Sequence, residues 1–148
     1  WTPIRLDTRD NYARALAALG RADVLLVNPV RDGLNLVAKE LALVNRRDAV
    51  LVLSAQAGVA DELGEHALVV NPFDVSATAR ALGRALDMGA AERRGRAAGM
   101  RKVVEARTGL DWWDDLVRAT RPRRDSGGQG AEQVQGSGRA VDDQVGAG

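Results

Sequence analysis

The sequence predicts an α/β fold built on an open, mostly parallel, doubly wound sheet, and two observations carry that prediction. Three continuous apolar runs, at 23–30, 49–54 and 66–71, are typical of strands that are buried on both faces of a parallel sheet. Segments with helical periodicity precede, separate and follow these runs, and the connections between predicted strands and helices are only a few residues long. Short connections between parallel strands impose right-handed crossovers, so strands and helices are expected to alternate around one sheet.

The first elements are predicted in a regular order. "TPIRL" at 2–6 is a short extended run, and Asp7 or Thr8 is expected to cap a helix that closes at Gly20. The apolar positions of that helix are Tyr12, Ala15, Leu16 and Leu19. The helix after the first buried strand is marked by Leu36, Val37, Leu41 and Val44.

The later elements are mostly helical. Asp74 is expected to cap a helix whose apolar stripe is formed by Val75, Ala79, Leu82 and Leu86. Two more helices are predicted at 91–107 and 109–120. Residues 121–148 contain seven Gly and no apolar periodicity, so we expect a disordered Gly-rich tail after a domain at 1–120.

Composition excludes several classes of function. Lys and Arg number 21 against 20 Asp and Glu, so the net charge of +1 favours neither a nucleic acid nor an anionic membrane as partner. The chain has no Cys, which is compatible with a cytoplasmic location, and its apolar runs are far shorter than the roughly 20 residues of a membrane helix. Because it begins at Trp1, almost directly on an extended run, we expect a fragment without its N-terminal part.

The junction "VNPVRDGLNLVAKE" at 27–40 contains the strongest candidates for a ligand-binding site. It leads from a strand into a helix N-terminus, the position where open α/β sheets bind ligands. Gly33 permits a backbone conformation or a close approach that a Cβ would block, and the helix start offers unpaired amides to an anion. Glu40 lies one turn further along and is suited to a pair of hydroxyls. The alternative is that Asp32 and Asn35 only cap the helix and that Glu40 is only solvated.

The block "RDGLNLVAKE", together with "VLVLSAQAGVADELGEHALVVNPFDVSATARAL", resembles the C-terminal half of trehalose-6-phosphate synthases. These are retaining glycosyltransferases of the GT-B architecture, in which two Rossmann-like domains face each other. The resemblance covers about residues 1–118 and implies that 1–120 is a Rossmann-like domain for a nucleotide sugar, UDP-glucose or GDP-glucose. Glucose 6-phosphate would bind to the N-terminal domain.

The resemblance also implies the site residues. Asp32, with the backbone of Gly33, Leu34 and Asn35, would contact the donor glucose, and Asp32 would be the catalytic position. The backbone amides of Leu36 and Val37 would bind the diphosphate, and Glu40 would bind the ribose hydroxyls. The seven residues between Asp32 and Glu40 match the spacing of the paired acids in related GT-B enzymes. No metal and no cofactor is implied.

The implied reaction transfers glucose to the anomeric hydroxyl of glucose 6-phosphate with retention. In this family the leaving diphosphate is thought to take the acceptor proton, so catalysis depends on positioning and charge stabilisation. The sequence departs from many relatives at Leu34, where they have Met, and at Ala55 and Gln56. The basic residues that neutralise the diphosphate would lie upstream of Trp1, so we expect the chain alone to bind donor weakly and to transfer nothing.

Other polar and aromatic residues are interpreted structurally. His66 is expected to be a loop residue and Ser54 a cap or loop residue, because neither has catalytic companions in the sequence. Gly58 is either a turn glycine or part of the donor-side loop. The Arg-rich segment around 92–107 is expected to be a solvated amphipathic helix, and Lys39 to lie on a solvated face.

Trp112 and Trp113 are interpreted as core residues. The alternative is that one of them packs against the absent domain, which would leave an apolar patch and favour a homo-oligomer. Two functional alternatives also stay open. One is a related GT-B synthase with another acceptor, such as glucosylglycerol-phosphate synthase, and the other is a non-catalytic Rossmann-like binding module.

Overall fold

The computed structural model describes residues 1–120, and the predicted Gly-rich tail at 121–148 lies outside the described residues. The elements in chain order are α1 Tyr12–Arg21, β1 Val24–Val27, α2 Leu36–Val44, β2 Val50–Ser54, α3 Ala60–Leu63, β3 Leu68–Val70, α4 Val75–Asp87, α5 Ala90–Glu105 and α6 Gly109–Thr120. A short 3₁₀ turn, Gly64–His66, joins α3 to β3.

The three strands form one parallel sheet in the order β1-β2-β3. Val24 pairs with Val50 and Val52 with Leu68, which sets the register on both sides of the central strand. All five residues of β2 are buried. A strand covered on both faces has no place for polar side chains, which is why its sequence reads as a continuous apolar run.

Helices cover both faces of the sheet, so the predicted α/β architecture is confirmed. One core layer joins Leu51 and Leu53 of β2 to residues of α1, α2 and α5, such as Leu19, Leu41 and Met100. The other layer joins Val50 and Val52 to β3 and α4, including Leu68 and Ala85. Successive residues of β2 therefore point to opposite faces, and each face is buried by helices.

Several predicted boundaries were wrong. Residues 2–6 form no strand, because that segment has no neighbouring strand with which to exchange hydrogen bonds. The cap of α1 is Asn11, whose side chain accepts the Arg14 amide at 3.0 Å, and Gly20 lies inside the helix. β1 ends at Val27 because Pro29 follows closely and has no amide to donate to a ladder. The predicted Asp74 cap of α4 is confirmed, with the Ala77 amide at 2.7 Å.

The Arg-rich helix α5 is not simply solvated, and that interpretation was wrong for three of its arginines. These side chains donate to backbone carbonyls at the ends of neighbouring elements: Arg93 to Asp23, Arg47 and Asp48, Arg96 to Ala67, and Arg101 to Ala42 and Asn45. Carbonyls in the last turn of a helix lack partners within the helix. Arg101 donates to two such carbonyls at the C-terminal end of α2. Helix α5 is therefore held in the fold by hydrogen bonds as well as by its apolar face.

Asn45 holds the turn that follows α2. Its buried side chain donates to the carbonyl oxygens of Leu19 at 2.6 Å and Ala22 at 3.0 Å. Its carbonyl oxygen accepts the amides of Arg47 at 2.9 Å and Ala49 at 3.0 Å. One side chain thereby joins the end of α1, the end of α2 and the approach to β2.

The prediction that Trp112 and Trp113 are core residues was wrong. Their exposed fractions are 60% and 56%, and Leu110 and Leu116 of the same helix are also exposed. Helix α6 therefore presents an apolar face that the described residues do not cover, and self-association through it stays a prediction. None of the helices in residues 1–120 combines the length and apolar character that crossing a bilayer requires.

Candidate functional site

The loop between β1 and α2 leaves the carboxyl end of the sheet, where the chain also leaves β2 at Ser54. Asp32 organises this loop through its carboxylate. One carboxylate oxygen accepts the Leu34 amide at 3.0 Å, and the other accepts the side-chain amide of Asn35 at 2.8 Å. The loop is therefore built around a negative charge and not only around backbone turns.

The hydrogen bond from the Leu34 amide, and after it the bond from the Asn35 side chain, hold the pKa of Asp32 below the usual value for an aspartate. Because this pKa is lowered in the folded chain, the interaction stabilises the fold above the ordinary pKa and is lost as the pH falls. Asp32 is thus ionised at neutral pH. Each of its oxygens retains a lone pair that a sugar hydroxyl can use.

Asn35 joins the loop to the helix. Its backbone is left-handed, with φ of 60°, a conformation that Asn tolerates better than most residues. Its side-chain oxygen caps α2 by accepting the Ala38 amide at 3.2 Å. The same side chain therefore contacts Asp32 on one side and the helix start on the other. The predicted capping role is confirmed for Asn35, whereas Asp32 bonds within the loop and not to an amide of α2.

The amides of Leu36 and Val37 are available at the N-terminus of α2. Among residues 1–120 neither has a protein acceptor, and both side chains are exposed, at 59% and 44%. Unpaired amides at a helix start attract anions through hydrogen bonds and through the helix dipole. The geometry is suited to a phosphate, as the sequence predicted.

The prediction that Gly33 has a special backbone conformation was wrong. Its φ is not positive, and within residues 1–120 a Cβ built there would meet no atom within 4 Å beyond its chain neighbours. The protein backbone therefore does not require glycine at this position. A close approach by a bound sugar stays a prediction, because the space beside Gly33 is open.

Glu40 lies beyond the first turn of α2, and Tyr12 of α1 faces it. A hydrogen bond to Glu40, and next the negative charge of Glu40, raise the pKa of the Tyr12 phenol above its usual value. Glu40 is half-buried and keeps a polar neighbour. Tyr12 was predicted only as an apolar position of α1, because nothing in the sequence pairs it with Glu40.

Tyr12 is the only tyrosine in the chain, so its titration can be followed by tyrosinate absorbance. We expect a midpoint above that of an ordinary tyrosine, and we expect Glu40→Gln to lower it because the acceptor charge is removed. The contact stabilises the fold below the ordinary phenol pKa and is lost as the pH rises through the folded value. An unchanged midpoint in the variant would show that Tyr12 does not contact Glu40.

Lys39 forms a surface ion pair that the sequence did not predict. Its ammonium group contacts both carboxylate oxygens of Glu62 in α3, at 2.9 and 2.8 Å. This ion pair and the start of α6 border a cleft of about 600 Å³ that opens beside Leu34 and Leu36 and includes Trp112. The cleft adjoins the loop, but Glu62 already neutralises the charge of Lys39 there.

Ser54 is a structural residue, in agreement with the sequence interpretation. It is fully buried, and its hydroxyl donates to the Pro29 carbonyl at 2.8 Å and accepts the Gln56 amide at 3.0 Å. His66 lies in the 3₁₀ turn and packs against Gly99 of α5. Residues 1–120 contain no group of three or more His, Asp and Glu side chains arranged to hold a metal ion.

The chain that contains this loop and helix start is similar to known glycosyltransferases. The sequence model of glycosyltransferase family 20 matches residues 1–121. The chain belongs to glycosyltransferase family 20. Family 20 relatives include an Enterobacter trehalose-6-phosphate synthase, 44% identical over 121 residues, and a Thermoproteus tenax bifunctional trehalose-6-phosphate synthase/phosphatase, 42% identical over 120 residues. These alignments cover 80% and 79% of the chain, so the predicted resemblance is confirmed.

Solved structures agree with the family 20 assignment. An alpha,alpha-trehalose-phosphate synthase from Burkholderia xenovorans, in complex with glucose-6-phosphate, superposes with a TM-score of 0.74 at 41% identity. An E. coli structure bound with UDP-2-fluoro glucose superposes with a TM-score of 0.71 at 40% identity. Each comparison covers 80% of this chain and 27% of the other.

The chain is short beside its family 20 relatives. It spans 25% of the Enterobacter synthase and 16% of the Thermoproteus tenax protein. A Streptomyces hygroscopicus validamine 7-phosphate valienyltransferase is similar too, with 39% identity over 110 residues, 74% of this chain and 22% of that protein. Membership of the family therefore does not by itself decide which sugar is transferred or to what.

Proposed function

We propose that this chain is the donor-binding part of a retaining glucosyltransferase that makes trehalose 6-phosphate. The donor would be UDP-glucose or GDP-glucose, and the acceptor would be glucose 6-phosphate. The observation that carries the proposal is the loop from Asp32 to Asn35, which delivers an ionised carboxylate and two unpaired helix amides to one exposed surface. These groups suit the hydroxyls and the diphosphate of a nucleotide sugar.

The proposed donor lies along the start of α2. Glucose contacts the Asp32 carboxylate and the backbone of Gly33, Leu34 and Asn35. The diphosphate accepts hydrogen bonds from the Leu36 and Val37 amides. Four residues of helix rise by about 6 Å, which places Glu40 one turn beyond Leu36, where the ribose hydroxyls follow the diphosphate.

The same geometry supports catalysis by positioning. Both oxygens of Asp32 accept hydrogen bonds, and its pKa is lowered, so this carboxylate is a weak nucleophile. In the proposed step the bond from the glucose anomeric carbon to the diphosphate oxygen breaks, and the acceptor oxygen bonds to that carbon on the same face. The acceptor proton passes to the leaving diphosphate. The amides at the start of α2 stabilise the charge that develops there.

The acceptor would bind outside this chain. In the Burkholderia xenovorans structure in complex with glucose-6-phosphate, the segment that matches this chain is only 27% of that protein chain. The proposal therefore assigns donor binding to residues 1–120 and expects no transfer by the chain alone.

Calorimetric titration with UDP-glucose and GDP-glucose, beside an assay for trehalose 6-phosphate, tests this assignment. We expect weak, saturable binding of at least one donor and no turnover. Absence of binding to both donors would contradict the donor role. Turnover by the chain alone would contradict the division of donor and acceptor binding.

A second candidate is a family member with different substrates. The similarity to the valienyltransferase, at 39% identity, is close to the similarity to the synthases. A glucosylglycerol-phosphate synthase would bind the same kind of donor with another acceptor. A non-catalytic Rossmann-like module is the third possibility, and failure of both glucose donors to bind in the titration would favour it over the first two.

A further inference from the structure

The segment from Ser54 to Gly58 runs beside the loop that contains Asp32 and is bonded to it repeatedly. The Ser54 hydroxyl donates to the Pro29 carbonyl at 2.8 Å. The Asp32 amide donates to the Gln56 carbonyl at 3.2 Å, and the Gly58 amide donates to the Asp32 carbonyl at 2.8 Å. Both backbone polar groups of Asp32 are therefore held by one segment, in a short parallel bridge.

Gly58 is the point of closest approach between the two segments. Its φ is not positive, so it is not a turn glycine that needs a left-handed backbone. A Cβ built on it would lie 2.8 Å from the Gly33 carbonyl carbon and still closer to the Gly33 oxygen. Carbon atoms in proteins approach to about 3.5 Å, so an added methyl group displaces one of the backbones.

Displacement at this point reaches the proposed ligand-binding groups. The Gly33 carbonyl belongs to the peptide whose amide is that of Leu34, and this amide donates to Asp32. Asn35 follows, with its left-handed backbone and its cap on α2. A backbone atom cannot move aside by changing a rotamer, so the displacement passes along the loop.

We propose that Gly58 is a positioning residue for the donor site, because its missing side chain lets the Ser54–Gly58 segment hold the Asp32–Asn35 loop in its binding geometry. The expected effect on donor binding rests on the proposed function. The loop geometry itself can be measured without a ligand. In this proposal Gly58 does not touch the donor, and it acts through its contacts with the Gly33 peptide and the Asp32 carbonyl.

The test compares Gly58→Ala with Gly83→Ala by amide NMR spectra of the labelled chain and by titration with UDP-glucose and GDP-glucose. Gly83 lies in α4, and a Cβ there would meet nothing within 4 Å. We expect Gly58→Ala to shift the amide resonances of residues 32–37 and to weaken donor binding about tenfold, the equivalent of about 1.4 kcal/mol. Gly83→Ala should leave both unchanged.

Unchanged loop resonances in a folded Gly58→Ala chain would overturn the inference, and so would shifted resonances with unchanged donor affinity. If Gly58→Ala does not fold, Ser54→Ala replaces it, because it removes the hydroxyl's bonds to Pro29 and Gln56 without adding an atom. That variant should shift the resonances of residues 29–33, and unchanged resonances would overturn the inference. If the unsubstituted chain binds neither donor, the proposed function fails, while the loop resonances still decide whether Gly58 fixes the loop.

Discussion

A Glu40→Gln chain is expected to bind its glucose nucleotide donor at least about tenfold more weakly than the unsubstituted chain. Hydrogen bonds to a charged group contribute roughly 1.5–3 kcal/mol, and a glutamine can replace one acceptor but not the charge. Glu40 is half-buried on the surface of α2, so the substitution removes no core contact. The main loss is therefore expected in donor affinity, whereas the free energy of unfolding should fall only by the weakened contact with Tyr12.

The measurement is a titration of both chains with UDP-glucose and GDP-glucose, followed by amide NMR. Glu105→Gln is the matched control, because it makes the same change of charge on an exposed helical residue at the end of α5. The control should bind donor like the unsubstituted chain. Equal affinity in the Glu40→Gln and Glu105→Gln chains would remove Glu40 from the proposed ribose site.

The Asn45→Ala substitution is expected to lower the free energy of unfolding by about 3 kcal/mol or more. It removes four hydrogen bonds at once, to Leu19, Ala22, Arg47 and Ala49. A buried polar group left without a partner costs about 1–3 kcal/mol, and alanine leaves several such groups at the junction of α1, α2 and β2. The cost is set by unsatisfied backbone groups and not by lost apolar area.

Denaturant unfolding at constant pH measures this cost. Asn71→Ala is the matched control, because in the part of the chain that the structure describes the exposed Asn71 side chain accepts only the Phe73 amide, at 3.1 Å. It should lower the free energy of unfolding by less than about 1 kcal/mol. Similar losses in the two variants would show that the buried network around Asn45 does not stabilise the fold as described.

The fold was predictable from local patterns because its strands are buried on both faces. The run containing Val50–Ser54 has no polar side chain before its last residue, and that pattern has few structural explanations. The boundaries of α1 were not predictable, because Asp7, Thr8 and Asn11 are all good capping residues. The choice of Asn11 depends on which side chain accepts a helix amide in three dimensions.

The loop proposed to bind the donor was partly predictable, but the contacts that hold it in place were not. The spacing from Asp32 to Glu40 identified the residues that follow β1 and open α2. The contact between Gly58 and Gly33 joins residues that are far apart in sequence, and nothing in the sequence around Gly58 specifies its partner. The same holds for Lys39 with Glu62 and for Tyr12 with Glu40, since pairing between elements is decided by packing.

The central claim is that the loop from Asp32 to Asn35, the first turn of α2 and Glu40 together bind a nucleotide sugar. Amide NMR during titration with UDP-glucose and GDP-glucose tests it most directly. We expect saturable shifts at residues 33–37 and at Glu40, with the Leu36 and Val37 amide resonances moving most because these amides donate to the diphosphate. Saturable shifts confined to another surface, or none with either donor, would contradict it.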